Sequence, residues 1–277
     1  MRPEARIESH HFVAMGTNCS VFALGLTPRQ LLEGEFWVRR VADRLTRFAE
    51  NSELSRLNAG AGEWVEISPE LEGSLRCALR AFAMSSGLVN AAVLPSMVAI
   101  GYAHSRADGP SVTTLDSVRP LPRLPKVLQV RSGLARVEPG CGIDLGGVAK
   151  GWMADRLCET LGPNVVANIG GDLRAVGPGP GGVGWPVGVG GTTLMLRNHG
   201  AATSSVRRRK WGDMHHLIDP RTGLPAKTGL EEVSVVAANG FEAEVVAKAA
   251  LLLGPDLAPA YCAAHAQAWW LDGKNVD

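Results

Sequence analysis

The chain has 277 residues, 45% of them hydrophobic, which is enough to bury a sizeable core in one large domain or two small ones. Its formal net charge of +1 argues against a general nucleic-acid or membrane-surface binder, because such proteins carry a strongly basic face. The five cysteines are scattered and none forms a C-x-x-C pair, so we expect neither a zinc site nor a disulfide framework, only reduced and mostly buried thiols.

The first residues, MRPEARIESHH, contain charges but no apolar segment of the kind found in secretory signals. No uninterrupted apolar run in the sequence is long enough to cross a bilayer. We therefore expect a cytoplasmic protein with no membrane span and no nucleic-acid partner.

In the first half of the chain, strand patterns alternate with two helix patterns. Thr27-Pro28 and Ser68-Pro69 each place a capping hydroxyl before a proline, so a helix is expected to begin at each. The apolar faces of these helices are predicted to be Leu31, Val38, Val41, Leu45 and Phe48, and then Leu71, Leu75, Leu79 and Phe82 before Gly87. Strands are expected within residues 12–24, 64–67, 127–130 and 135–137, and a surface connection over residues 107–126.

In the second half, short strands outnumber helices. One helix is expected after Gly147 and another over residues 241–253, closed by Gly254. Strands are expected at residues 164–168, 185–189, 192–196, 201–205, 215–218, 232–238 and 267–271, with a loop at 177–182. Because the order is not a simple alternation of strand and helix, the sequence favours a single α+β domain over residues 1–277.

The stretch CGIDLGGVAKGW at residues 141–152 predicts a short strand, a glycine turn and the start of a helix. Such a corner offers free backbone N–H groups and the positive end of a helix dipole, the features that receive a phosphate. Lys150 lies in the first turn, where a cation opposes the dipole, so something anionic is expected nearby. Taken alone, the spacing favours an ordinary strand-turn-helix corner with glycines for tight packing, because isolated glycine patterns recur widely.

Three other groups of polar residues are candidates for chemistry. His215 and His216 are adjacent in a predicted strand and point to opposite faces, so they make a poor metal pair, but one can act as a general base beside a phosphate. The basic run at residues 207–210 is typical of a solvated hairpin tip. Glu244 and Lys248 stand four apart on the last long helix, the spacing of a modest surface ion pair.

Taken together, the motifs resemble one family, the flavin transferases called ApbE (FAD:protein FMN transferases). The matching stretches, in the family's order and over most of the chain, are MGT (15–17), SELSRLN (52–58), DLGGVAKG (144–151), NIGGD (168–172), TSS (203–205) and HLIDPRTG (216–223). The resemblance implies an α+β, T-fold-like domain with a mixed or antiparallel sheet packed by helices.

The resemblance also implies a reaction and a site. The family splits FAD at its pyrophosphate, releases AMP and attaches FMN through a phosphoester to a Ser or Thr of an acceptor protein, assisted by a divalent cation, usually magnesium. The residues that would line the FAD site are Met15, Phe48, the segment 87–90 with Val89 and Asn90, Asp144, Lys150 and Ile218. His216 resembles the family's candidate base, and the metal would be held by a backbone oxygen around Gly147 and by an Asp and a Thr of a helix motif.

This chain departs from the family pattern at the positions of that helix motif and in the segment VNAA at residues 89–92, where the family has Phe-Asp-Pro-Thr. Glu244 replaces the Asp, and Lys248 replaces the Thr, so an ammonium group stands where a neutral ligand is expected. Either Lys248 occupies the cation's place and meets the pyrophosphate while Glu244 holds it, or the metal site and the activity are lost. Asn90 replaces an Asp and so removes a negative charge.

Three functions follow from this pattern. The first is flavin transfer from FAD to an acceptor protein. The second is FAD binding without turnover, motivated by Asn90, Glu244 and Lys248, and the third is slow FAD hydrolysis with water in place of the acceptor.

Overall fold

The computed structural model describes residues 6–104, 113–207 and 209–275. The expected surface connection falls in part on residues 107–112, which lie outside the described residues. Among the described residues, no helix has the length and apolar character needed to cross a membrane.

The helices begin where the sequence provides caps. Thr27 forms a capping box with Gln30 at the start of α1, and Ser68 accepts a hydrogen bond from the N–H of Leu71 at the start of α3. The described helices are α1 (Pro28–Leu45), α2 (Glu53–Ala59), α3 (Pro69–Met84), α4 (Leu94–Ala99), α5 (Leu124–Val127), α6 (Ala149–Leu161), α7 (Gly240–Leu253) and α8 (Ala258–His265).

The strands of the main sheet all pair in antiparallel fashion. Fifteen short strands are described: β1 (Ile7–Ala14), β2 (Thr17–Leu24), β3 (Val65–Glu66), β4 (Leu128–Arg131), β5 (Leu134–Val137), β6 (Val165–Ile169), β7 (Asp172–Val176), β8 (Trp185–Val189), β9 (Thr192–Leu196), β10 (His199–Ser205), β11 (Lys210–Trp211), β12 (Met214–His215), β13 (Glu232–Ala237), β14 (Ala268–Leu271) and β15 (Lys274–Asn275). Eight of them form one sheet in the order β1-β2-β6-β7-β10-β13-β14-β15. The remaining strands form a three-stranded sheet, β3-β5-β4, and the hairpins β8-β9 and β11-β12.

Helices cover one face of the main sheet and the β8-β9 hairpin covers the other. In β6, Val165 and Ala167 pack into a core with α6 residues such as Met153 and Leu157. Val166, between them, points to the opposite face and packs with Trp185 of β8. The alternation is that of a strand buried on both sides. The expected α+β fold class is confirmed, with every described strand pair antiparallel.

Two two-residue turns bring neighbouring hairpins together at one end of the sheet. Met15 and Gly16, between β1 and β2, have φ of 54° and 66°, and Gly170 and Gly171, between β6 and β7, have φ of 67° and 100°. Positive φ at both central residues matches the twist of a hairpin. A side chain at Gly170 would overlap that of Thr17, so only glycine allows the two turns to lie this close.

The structure corrects several sequence-based predictions. Helix α1 ends at Leu45, so Phe48 is not on its apolar face, and its side chain is 42% exposed. The strand expected at residues 215–218 is limited to β12 and an isolated bridge between Ile218 and Pro225, because the chain turns at Asp219. The short helices α2, α4 and α8 were not predicted, since seven, six and eight residues give too few turns for a periodic signal.

Candidate active site

The segment before α6 is held in place by a side chain rather than by a sheet. The side chain of Asn58, at the end of α2, donates to the Ile143 oxygen (2.9 Å) and accepts from the Ile143 N–H (2.8 Å). The N–H of Asp144 donates to the oxygen of Ala91 (2.9 Å). The prediction of a strand before the glycine turn is therefore wrong. The Asn of the SELSRLN stretch satisfies this backbone instead.

Asp144 is fixed from two sides. One carboxylate oxygen accepts from the Gly146 N–H (2.7 Å), which shapes the glycine turn, and the other accepts from Nε of Arg47 (2.5 Å). The Arg47 side chain is only 5% exposed and also donates to the backbone oxygens of Tyr102 (2.5 Å) and Ala103 (3.3 Å). Asp144 thus couples the turn to the loop after α4.

Helices α6 and α7 approach so closely at their N-termini that only glycine fits. A Cβ on Gly151 would overlap the backbone oxygen of Gly240 and come within 2.9 Å of the Cα of Phe241. Asp155 of α6 accepts from the N–H groups of both Gly240 (2.8 Å) and Phe241 (2.9 Å), so it caps α7. This packing places the second turn of α7 beside the first turn of α6.

Four charged side chains meet at that junction. Lys150 pairs with Asp172 at the start of β7, and its Nζ lies 3.2 Å from Oε1 of Glu244. Oε2 of Glu244 accepts from the Gly151 N–H (2.9 Å), one of the free donors at the start of α6. Nζ of Lys248 lies 3.6 Å from Oε1 of Glu244 and donates to the backbone oxygen of Gly147.

The reading of Glu244 and Lys248 as a surface pair is wrong, because Glu244 is 2% exposed and the Lys248 side chain is 14% exposed. Burial lowers the pKa of Lys150 and of Lys248, and the Glu244 carboxylate opposes that effect. Burial alone would raise the pKa of Glu244, but the two ammonium groups outweigh it and hold that pKa below its usual value. The anion expected near Lys150 is thus supplied by the protein itself, as Asp172 and Glu244.

The two histidines have different environments. His215 is buried; its Nε2 donates to the oxygen of Ala226 (2.9 Å) and its Nδ1 accepts from the Leu217 N–H (3.2 Å). Nδ1 of His216 is buried and has no hydrogen-bond partner among the described residues. Burial, together with the positive charges of Arg209, Lys248 and Lys150, lowers the pKa of His216 well below its ordinary value. The lowered pKa keeps the His216 imidazole neutral at pH values where an ordinary histidine is protonated.

Aromatic rings lie next to the Asp144–Arg47 pair. The Arg47 guanidinium lies over the rings of Phe48 (4.3 Å) and Tyr102 (4.8 Å). Tyr102 in turn contacts Trp211, with ring centroids 5.3 Å apart. Ile218 is 7% exposed and packs with Met97 and Ile100, against which Tyr102 and Trp211 also lie. Phe48 and Ile218 thus border one aromatic surface.

The segment 87–90 lies on a different wall. Val89 is buried, and the side chain of Asn90 is engaged by the backbone, since it donates to the oxygen of Pro122 (2.9 Å) and accepts from the Ala92 N–H (3.0 Å). Asn90 borders an open cleft of about 580 Å³ that also contains Pro220 and Arg221. A larger cleft of about 660 Å³ lies near Asp155 and contains none of the predicted site residues.

The DPRTG stretch has a structural role that its sequence alone did not reveal. Asp219 binds Arg221 through a carboxylate–guanidinium pair (2.7 Å), and Arg221 also donates to the oxygen of Leu252 at the end of α7 (2.7 Å). At Gly223, φ is 77° and any side chain would overlap the backbone oxygen of Arg119. The turn therefore ties α7 to the chain that follows His216.

The side chains present at the expected metal site do not fit magnesium. The oxygen of Gly147 accepts a hydrogen bond from Lys248, and an ammonium group has no lone pair to give a cation. Glu244 is already bound by Lys150 and the Gly151 N–H. The described residues contain no group of three or more His, Cys, Asp or Glu side chains that could hold a metal.

Several residues of the site were missed from the sequence. Arg47, Tyr102 and Trp211 belong to no recognisable motif, and only the structure brings them to Asp144. Asp172 is the last residue of the NIGGD stretch. The sequence showed this motif but did not reveal that Asp172 pairs with Lys150. Arg209 was read as part of a solvated tip, yet it is half-buried and its charge acts on Lys150, Lys248 and His216.

The described site is a buried junction of two lysines and two carboxylates between two helix N-termini, with His216 and an aromatic surface near it. The ApbE family model matches residues 15–270, and the chain belongs to this family. Among curated relatives, the FAD:protein FMN transferase of Treponema pallidum is 27% identical over 91% of this chain and 80% of its own length. The enzyme of the same name from Klebsiella pneumoniae (strain 342) is 26% identical over 75% of this chain and 70% of its own.

Solved structures agree on the fold. The ApbE protein of Thermotoga maritima superposes with a TM-score of 0.84 at 22% identity, covering 98% of this chain and 96% of that one. The apo form of the Pseudomonas stutzeri flavinyl transferase ApbE gives a TM-score of 0.82 at 20% identity, covering 97% and 93%. The predicted ApbE-like fold is confirmed.

Proposed function

We propose that the chain is an FAD:protein FMN transferase that acts in the cytoplasm as a single domain. The observation that carries this proposal is the buried junction in which Lys150, Glu244 and Lys248 meet the Gly146-Gly147 turn beside a neutral His216. A pyrophosphate needs cations that are held in place before it arrives, and Lys150 and Lys248 are held in that way.

The groups of this site can support transfer of the FMN phosphoryl group to an acceptor hydroxyl. A Ser or Thr hydroxyl oxygen of the acceptor protein attacks the phosphorus on the FMN side of the pyrophosphate, the bond from that phosphorus to the bridging oxygen breaks, and AMP leaves with the oxygen. The acceptor's proton passes to His216, whose lowered pKa keeps the imidazole neutral and able to accept it. Lys150 and Lys248 offset the charge that develops on the phosphoryl oxygens.

The remaining predicted residues have binding roles in this proposal. Phe48, with Tyr102, offers a ring surface backed by the Arg47 guanidinium, on which a planar group can stack. Asp144, Met15, Val89, Asn90 and Ile218 line or support the walls around the dinucleotide. Gly147 contributes its backbone oxygen to Lys248 rather than to a metal ion.

The experiment is incubation of the full chain with FAD and a candidate acceptor domain, followed by the intact mass of the acceptor and the amount of AMP. Flavin transfer predicts that the acceptor gains one FMN phosphoester and that one AMP appears for each. Free FMN with AMP and no acceptor adduct would favour hydrolysis. Intact FAD held for hours would favour a binding protein without turnover.

A further inference from the structure

The charged junction contains a cation that belongs to the chain. Nζ of Lys248 reaches the backbone oxygen of Gly147 on one side and Oε1 of Glu244 (3.6 Å) on the other. These are the two oxygens that the family resemblance assigns to a divalent cation. A Cβ placed on Gly147 would lie 3.0 Å from that same Nζ, so the absence of a side chain at Gly147 makes room for the ammonium group.

The neighbouring charged groups leave no oxygen of Glu244 free to bind a further cation. The other oxygen of Glu244 is taken by the Gly151 N–H (2.9 Å), and Lys150 fills the space between Glu244 and Asp172. Two lysines and two carboxylates balance within the junction, and Arg209 adds positive charge from the β11 side. A magnesium ion there would meet two ammonium groups in a buried setting, where like charges repel strongly.

We propose that Lys248 replaces the divalent cation at the FAD pyrophosphate, so that this chain needs no metal to bind FAD. The inference rests on the proposed function for its substrate. The Lys248 ammonium lies between the Gly146-Gly147 turn and α7, where it donates hydrogen bonds to a pyrophosphate oxygen directly. Glu244, held by Lys150 and the start of α6, serves as the positioning residue that keeps Lys248 at Gly147.

The first test uses the unaltered chain. FAD affinity is followed by quenching of flavin fluorescence, with EDTA and with excess magnesium, and metal binding is followed by the electron paramagnetic resonance of Mn²⁺. We expect the FAD dissociation constant to be the same in EDTA and in magnesium. We also expect no loss of the free Mn²⁺ signal when the protein is added, with or without FAD. Tighter FAD binding in magnesium together with uptake of Mn²⁺ would overturn the proposal. Neither readout needs a substitution, so the test stands even where a variant folds poorly.

The second test changes Lys248. Lys248→Met keeps the length of the side chain and removes its charge, and we expect it to weaken FAD binding about tenfold or more, the worth of a charge-assisted hydrogen bond. The matched control is Lys274→Met on the exposed strand β15, which should leave FAD binding unchanged. Equal affinity of Lys248→Met and the unaltered chain would overturn the proposal.

The third test restores the family's residue types with the double change Glu244→Asp and Lys248→Thr. This variant should take up Mn²⁺, and magnesium should now strengthen its binding of FAD. If the double variant takes up no Mn²⁺ and binds FAD equally well with and without magnesium, positions 244 and 248 do not form a cation site and the proposal fails. Metal-independent FAD binding without AMP release would refute the proposed transferase while supporting Lys248 as the bound cation, so the two failures are distinguishable.

Discussion

Nζ of Lys248 donates a hydrogen bond to the backbone oxygen of Gly147, which lies 101 residues earlier in the chain. This contact joins the second half of α7 to the glycine turn before α6. It depends on the close packing of the two helix N-termini, where Gly151 meets Gly240. The Lys248 ammonium group, the glycine turn and the junction of α6 and α7 therefore depend on one another. A substitution in any of them should change the geometry of the other two.

Replacing Gly151 by Ala should disturb that junction. The added methyl group overlaps the backbone of Gly240, and α6 and α7 must separate, which costs about 1–3 kcal/mol by analogy with overpacked cores. Urea denaturation gives the stability, and FAD titration should show weaker binding, because Glu244 moves away from Lys150. Gly188→Ala is the control, since nothing lies within 4 Å of a Cβ there, and its stability should change little. Equal stabilities for the two variants would show that α6 and α7 have room for a side chain at Gly151.

Removing Arg47 should be costly. Its side chain is 5% exposed and holds the Asp144 carboxylate at 2.5 Å, so Arg47→Ala leaves a buried charge unpaired, at a cost of about 3–5 kcal/mol. Arg29→Ala breaks an exposed pair with Glu33 and should cost less than about 1 kcal/mol. The free energies of unfolding of both variants decide the matter. A small effect at Arg47 would mean that Asp144 does not rely on this partner.

The pH dependence of turnover should reflect His216. Burial and the charges of Arg209, Lys248, Lys150 and His215 lower the pKa of His216, so the imidazole stays in its proton-accepting form at pH values where an ordinary histidine is protonated. AMP release should therefore stay level from pH 8 down to about 6.5 and fall only at lower pH. His216→Asn should reduce kcat by about 10²-fold or more, with FAD affinity nearly unchanged.

The matched control for that experiment is His215→Asn, whose partners are the backbone groups of Ala226 and Leu217. Its effect should appear in stability rather than in the pH profile. A profile whose acidic limb begins well above pH 6.5, as for an imidazole of raised pKa, would rule out His216 as the buried neutral base.

Asp155 should make stability depend on pH in the opposite sense to a salt-bridged carboxylate. Burial raises the pKa of Asp155 from 3.8 to about 6. Between these values the folded chain holds a proton that the unfolded chain has lost, so the stabilising contribution of this group is full below about pH 4 and is lost as pH rises to about 6. The loss is on the order of 2–3 kcal/mol.

Comparing the unaltered chain with Asp155→Asn isolates this effect. The stability of the unaltered chain relative to the variant should decline from pH 4 to pH 7 when unfolding is measured in urea. The loss of helix capping is common to both pH values and cancels in that comparison. If the stability of the unaltered chain relative to Asp155→Asn instead rises with pH, Asp155 has a lowered pKa, as a well-paired carboxylate has.

Local signals allowed much of the fold to be predicted. Thr27 and Ser68 cap helices where their hydroxyls precede proline, and β8 and β9 have the bounds expected from their apolar pattern. The order of motifs placed the chain in its family. Short helices such as α2 and α4 were missed because a helix of one or two turns leaves no periodic pattern.

The site was predictable in its parts and not in its connections. The substitution of Lys248 for a neutral residue could be seen in the sequence, and its consequence at Gly147 could be stated as one of two alternatives. The spacing of Glu244 and Lys248 suggested an exposed pair, because helical spacing carries no information on what packs over that face. Arg47 reaches Asp144 across 97 residues, a contact that no local pattern records.

The most direct measurement is AMP release from FAD by the full chain with an acceptor domain, in EDTA and in magnesium. We expect equal AMP in both buffers, an FMN phosphoester on the acceptor, and loss of both products in Lys248→Met. FAD that stays intact in both buffers would contradict the transferase, and AMP formed only with magnesium would contradict the role of Lys248.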